Sequence, residues 1–120
     1  MGQSMHPFVS AAEEELVDIL SLDDYLFTNR SACFLVKIQG NSMVSAGIMP
    51  KDLVVLERGR KPVNGDVVVI DLNGQSLMKI YEDYGGQLKF LAGNSKEKPL
   101  VPEENLKIYG VVTGVIRKYH

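Results

Sequence analysis

The chain has 120 residues, 45% of them hydrophobic, and 13 Lys and Arg against 15 Asp and Glu give a net charge of −2. That is the make-up of one ordinary domain with one core; its mild acidity lacks the basic surplus that non-specific, direct DNA binding uses. The single cysteine, Cys33, fits a reducing compartment, His6 and His120 near the two ends form no metal-ligand cluster, and no run approaches the roughly 18 apolar residues of a membrane span, so a cytoplasmic chain without metal, cofactor or membrane contact is expected.

Residues 1–30 hold six acids (Glu13, Glu14, Glu15, Asp18, Asp23, Asp24) and one base, Arg30. They read as an acidic arm, with residues 31–120 as the body. Ser10-Ala11-Ala12-Glu13 and Ser21-Leu22-Asp23-Asp24 each set a hydroxyl three residues ahead of an acid, the form of a helix start. Only after Ser21 do apolar residues follow at i, i+3 and i+4 (Leu22, Tyr25, Leu26), which predicts one short helix near residues 22–28. Residues 16–20 alternate too weakly to separate strand from helix.

From residue 32 onward, short β-rich runs are broken by Gly, Pro and Asn. Strands are predicted over 33–38, 53–57, 66–72, 76–81, 87–92 and 107–117. Asn73-Gly74 is a two-residue hairpin signal, because the mirror-type turn there needs positive φ at both positions. Tyr84-Gly85-Gly86 is a second hairpin candidate. Val63-Asn64-Gly65-Asp66 is a turn feeding Val67-Val68-Val69-Ile70, a run apolar enough to be buried on both faces. No long helical pattern and no repeat follows residue 30, which excludes a doubly wound α/β fold.

Gly40-Asn41-Ser42-Met43 follows a strand in a Gly-flanked turn, a geometry that lifts a hydroxyl clear of the backbone and lets successive N–H groups converge on an anion. Alone, such a tetrapeptide is most often a plain turn. A serine nucleophile needs a base, and neither histidine is placed to be one, which leaves lysine. A lysine serves only when neutral, and an apolar setting favours that form. Lys79, in Leu77-Met78-Lys79-Ile80, has the most apolar setting; Lys51, Lys61, Lys96, Lys98 and Lys118 stand among charged or turn residues. Strand periodicity by itself also allows Lys79 to be a water-facing residue backed by an apolar face.

The order of features narrows this. Gly40-Asn41-Ser42-Met43, Gly47-Ile48, Asp52-Leu53-Val54-Val55, Gly65-Asp66-Val67-Val68, Gly74 and Lys79 together resemble the LexA/UmuD family of self-cleaving Ser/Lys peptidases of the bacterial SOS response. The serine and lysine stand 37 residues apart, the family's spacing. The resemblance spans about residues 8–117 and implies a mainly β, LexA/signal-peptidase-like twisted sheet with one short N-terminal helix. It also implies Ser42 as nucleophile, Lys79 as general base and the backbone N–H groups of Asn41 and Ser42 as oxyanion donors. Phe8-Val9-Ser10-Ala11-Ala12 is similar to the segment after the cleavage point in the UmuD branch, and from Phe8 to Met43 the match needs no gap. The departures are Val9 and Ala11 for two prolines, Asn41 for the commoner Asp, and Lys51 for a Gly before Asp52. His6-Pro7 stands where the family's Ala-Gly or Cys-Gly cleavage bond falls, and Ala46-Gly47 lies inside a turn. The chain therefore reads as the processed form, stable to self-cleavage, or as a member that never cuts itself.

On this resemblance the expected function is that of processed UmuD: a homodimer that binds a Y-family DNA polymerase subunit (UmuC-like) for translesion synthesis, the unprocessed form answering to a RecA nucleoprotein filament. The alternative is the C-terminal peptidase and dimerisation domain of a LexA-like or phage repressor. A type I signal peptidase shares the chemistry but needs a membrane anchor, and a small β domain with no site is the plainest reading. The final run, with Tyr109, Val111, Val112, Val115 and Ile116, is expected to offer an apolar edge to a second copy or simply to close the sheet.

Overall fold

A computed structural model describes residues 21–93, 98–101 and 106–120. The possible helix start at Ser10 and the weak pattern over 16–20 lie outside the described residues. Ser21 caps helix α1, Leu22–Leu26, its hydroxyl oxygen accepting from the Asp24 N–H at 3.0 Å. The helix ends one turn later because Phe27 turns extended.

Six strands follow: β1 (Cys33–Lys37), β2 (Leu53–Glu57), β3 (Val67–Leu72), β4 (Gln75–Tyr84), β5 (Gln87–Leu91) and β6 (Leu106–Ile116). They form one sheet in the order β1-β2-β6-β3-β4-β5, and every pairing is antiparallel. The mainly β fold with one short helix is the expected one. Both hairpins form where their turn residues predict, with φ of 54° and 84° at Asn73 and Gly74 and of 61° and 82° at Gly85 and Gly86. Strand β4 outruns its expected end at residue 81 because Glu82, Asp83 and Tyr84 continue the ladder with Lys89, Leu88 and Gln87. Glu82, Asp83 and Tyr84 carry no apolar alternation, so the sequence pattern stops short of the strand.

Two expectations need correction. Val68 and Ile70 are wholly buried, but Val67 and Val69 are only half-buried, so this run alternates rather than being sealed on both faces. The final run is not an edge along its length: β2 takes Val111–Ile116 on one side and β3 takes Leu106–Val111 on the other. It closes the sheet, and among the described residues β2 pairs none of positions 106–110 and β3 none of positions 112–116.

The core has two parts. Val68, Ile70, Phe90 and Val111 form one, with Tyr81 edge-on to Phe90 at 6.2 Å between ring centres. Met43, Ile48 and Val54 form the other, packed by Val36, Met78 and Ile80.

Candidate active site

The segment between β1 and β2 is a loop closed at its base. The Ile38 N–H donates to the Asp52 carbonyl at 2.8 Å and the Lys51 N–H to the Ile38 carbonyl at 2.7 Å. Inside it, the Met43 carbonyl accepts from Ala46 and Ile48 at 3.0 and 3.2 Å, making a 3-10 turn over Val44–Ala46 that Gly47 ends at φ 85°. The Met43 and Ile48 side chains, each 2% exposed, anchor the loop in the second core cluster. Ser42 and Asn41, immediately before the anchor, are exposed. A buried methionine thus fixes the backbone beneath a solvent-facing serine.

Lys79 lies mid-strand in β4, half-buried, opposite Val68. Its neighbours Met78 and Ile80 pack in the same cluster as Met43. Strand alternation turns Lys79 to the other face, that of Val68 and Leu77. The edge of β4 joins the two faces here, because β5 stops at Leu91, the partner of Ile80. Ala92 and Gly93 follow β5 outside the strand.

Gly93, two residues past the end of β5, lies close against the serine turn, and residue patterning did not reveal it. A Cβ on Gly93 would lie 2.4 Å from the Ser42 carbonyl oxygen and 2.6 Å from the Met43 Cα and Sδ. Only glycine allows that approach. The Ser45 hydroxyl donates to the Gly93 carbonyl, a second tie between the same two segments. Ala92-Gly93 is also an Ala-Gly bond, and its glycine is a packing element against the turn.

Asp52 and Arg117 form the other unforeseen feature. Asp52 is 1% exposed, and its carboxylate accepts from Arg117 Nε at 2.8 Å, Arg117 Nη2 at 2.7 Å and the Met49 N–H at 2.7 Å. Arg117 Nη2 also donates to the Gly47 carbonyl at 2.8 Å. The guanidinium first, and the Met49 N–H second, hold the Asp52 carboxyl down from 3.8 to about 2. Nothing in the sequence pairs these two residues, and a carboxylate beside an apolar strand was the only available signal. Lys51, the departure from the family's glycine, adopts φ 75°, the left-handed backbone that glycine accepts without strain.

Residues 2–113 match the family model described as Peptidase S24-like. The chain is 32% identical over 113 residues to the LexA repressor of Carboxydothermus hydrogenoformans, covering 92% of this chain and 53% of the repressor. It is 31% identical over 108 residues to the LexA repressor of Clostridium botulinum, at 90% and 53% coverage. The LexA repressor of Acetivibrio thermocellus is 33% identical over 92 residues, at 77% and 43%. The chain spans about half the length of the curated relatives it matches.

Proposed function

The chain belongs to the Peptidase S24-like family, and from that membership we propose that it is the peptidase and dimerisation domain of a LexA-like repressor, with a Ser42/Lys79 dyad. Ser42 is the nucleophile and Lys79 the general base, and the N–H groups of Asn41 and Ser42 receive the oxyanion. The observation that carries the reading is the exposed Ser42 seated on the buried Met43, in the cluster that also packs Met78 and Ile80, the strand neighbours of Lys79. The reading requires the Lys79 amine, which strand alternation turns away from the Met43 cluster, to reach the Ser42 hydroxyl around the edge of β4. The lysine takes the Ser42 proton as the oxygen attacks the scissile carbonyl, then returns it to the leaving amine. The LexA-like reading stands ahead of the UmuD-like one because the relatives described above are LexA repressors.

The UmuD-like reading, with a UmuC-like polymerase and a RecA filament as partners, has the gapless stretch from Phe8 to Met43 in its favour. Both readings take a homodimer, for which the open side of positions 113–116 and the 42% exposed Val115 supply a surface.

To test the dyad, the chain is incubated with a Ser42→Ala copy that carries an Ala-Gly bond ahead of Phe8, and the copy is followed by mass. Cleavage at that bond, lost when the cutting chain is Ser42→Ala or Lys79→Ala, is the expected result. Cleavage that survives either substitution, or none at any pH with subunit exchange confirmed, would overturn the assignment. A RecA filament that speeds cleavage, or co-purification with a Y-family polymerase, then separates the branches.

A further inference from the structure

Lys37, Leu53 and Ile116 are ladder partners across β1, β2 and β6, so their side chains stand in one row on one face of the sheet. The next row on that face is Leu35, Val55 and Gly114. Helix α1 reaches the second row at Gly114: the Leu26 side chain comes within 3.5 Å of the Cβ position on Gly114, as Val55 does. The first row lies beyond the helix and floors an open cleft of about 500 Å³. Leu53, Ile116 and Met49 make it apolar, and Lys37, Lys51 and Lys118 stand around it. Its one acid, Asp52, is already held by Arg117 and the Met49 N–H. Among the described residues none of the three lysines has an acidic partner.

An apolar floor ringed by cations fits a peptide that carries both acids and aliphatic residues. The chain contains such a peptide directly before α1: Glu13-Glu14-Glu15-Leu16-Val17-Asp18-Ile19-Leu20, with four acids and four aliphatic side chains. Its end, Leu20, adjoins Ser21, which caps the helix seated on this face. Two rows are about 7 Å apart along the strands. Eight extended residues span about 26 Å, ample to cross from α1 to the lysines. We propose that this cleft is the docking site for residues 13–20 of the same chain, with the acids on Lys37, Lys51 and Lys118 and the aliphatic residues on Leu53 and Ile116. The inference is independent of the dyad, since none of these residues belongs to it. Docking here covers Lys51, at the base of the loop that carries Ser42.

Carbodiimide coupling of the full chain tests it, because it joins a carboxylate to a lysine amine only where the two are in contact. Peptide mass mapping is expected to find Glu13, Glu14, Glu15 or Asp18 joined to Lys37, Lys51 or Lys118. In mixed light and heavy chains the coupled pairs are expected within one chain, and coupling found only between light and heavy chains would overturn the proposal. The combined Lys37→Glu, Lys51→Glu and Lys118→Glu variant should lose about fivefold or more of the yield, as should salt at about 0.5 M, which screens partly exposed pairs. Adding Glu13→Lys, Glu14→Lys and Glu15→Lys to that variant should restore coupling, which a merely misfolded protein would not do. Coupling of these acids chiefly to Lys61, Lys89 or Lys107, or no recovery in the charge-swapped chain, would overturn the proposal.

Discussion

Arg117 and Asp52, 65 residues apart in sequence, meet through two side-chain hydrogen bonds of 2.8 and 2.7 Å on opposite oxygens of a carboxylate that is 1% exposed. The pair fastens the end of β6 to the base of the loop bearing Ser42, and the Gly47 carbonyl and the Met49 N–H complete the fastening. A planar fork suits this geometry, and an ammonium would satisfy only part of it.

The pH dependence follows from the Asp52 carboxyl, held at about 2 against 3.8. A carboxyl whose folded value lies below its unfolded one contributes stability that is complete above the unfolded value and is lost as pH falls through the folded one. The melting temperature should therefore drop between about pH 4 and pH 2 through this group. In Arg117→Leu, which removes the guanidinium that chiefly lowers this carboxyl, the melting temperature should be lower at pH 7 and its decline between about pH 4 and pH 2 shallower. Arg117→Lys should fall between the two. Melting curves from pH 7 to pH 2 that coincide for all three proteins would show the clamp to be idle.

Gly93→Ala forces a methyl group into the Ser42 carbonyl and the Met43 Cα, backbone atoms that cannot swing aside. Overpacking of this kind costs about 1–3 kcal/mol, and here it also displaces the serine. Urea unfolding should show that loss, and cleavage in trans should fall further than stability alone explains. Ser45→Ala, which removes only the hydroxyl tie to Gly93, should cost about 1 kcal/mol. Equal activity in Gly93→Ala and the parent would mean the turn does not bear on the chemistry.

Lys51 occupies left-handed backbone at φ 75° with a side chain that glycine would not carry. Lys51→Gly should stabilise the fold by about 1 kcal/mol, since an L-residue is strained there by about that amount. A rise in urea midpoint with an unchanged slope is the expected reading. A fall would mean that the lysine contacts outweigh the strain.

Cleavage in trans should quicken as pH rises from 7 towards about 10, because a lysine base acts only when deprotonated and the neutral fraction grows with pH. It should remain slow, since an arm supplied by another chain lacks the effective concentration of a tethered one. A rate that peaks below neutrality would point to a carboxylate base and remove Lys79 from the mechanism.

Local rules made much of this protein legible. Asn73-Gly74 and Gly85-Gly86 specify their hairpins because only such residues take positive φ twice in succession, and the Ser21 cap with Leu22, Tyr25 and Leu26 specifies α1. The bounds of β2 came from its apolar run alone. The candidate serine and lysine were named from an ordered set of motifs spread along the chain.

Tertiary structure decided what contact between distant segments decides. An apolar run reads the same at an edge or in the middle of a sheet, so only strand order set β6 between β2 and β3. A glycine in a loop gives no sign of the backbone that will lie against it, so Gly93 beside Ser42 emerged from packing. Arginine and aspartate are ordinary surface residues until a fold removes water from one of them, and burial of Asp52 under Arg117 is what turned two unremarked charges into the fastening of the loop. Sequence determined the elements, because those depend on neighbours along the chain; the fold determined which elements touch, because antiparallel pairing and close packing act between residues that the chain separates.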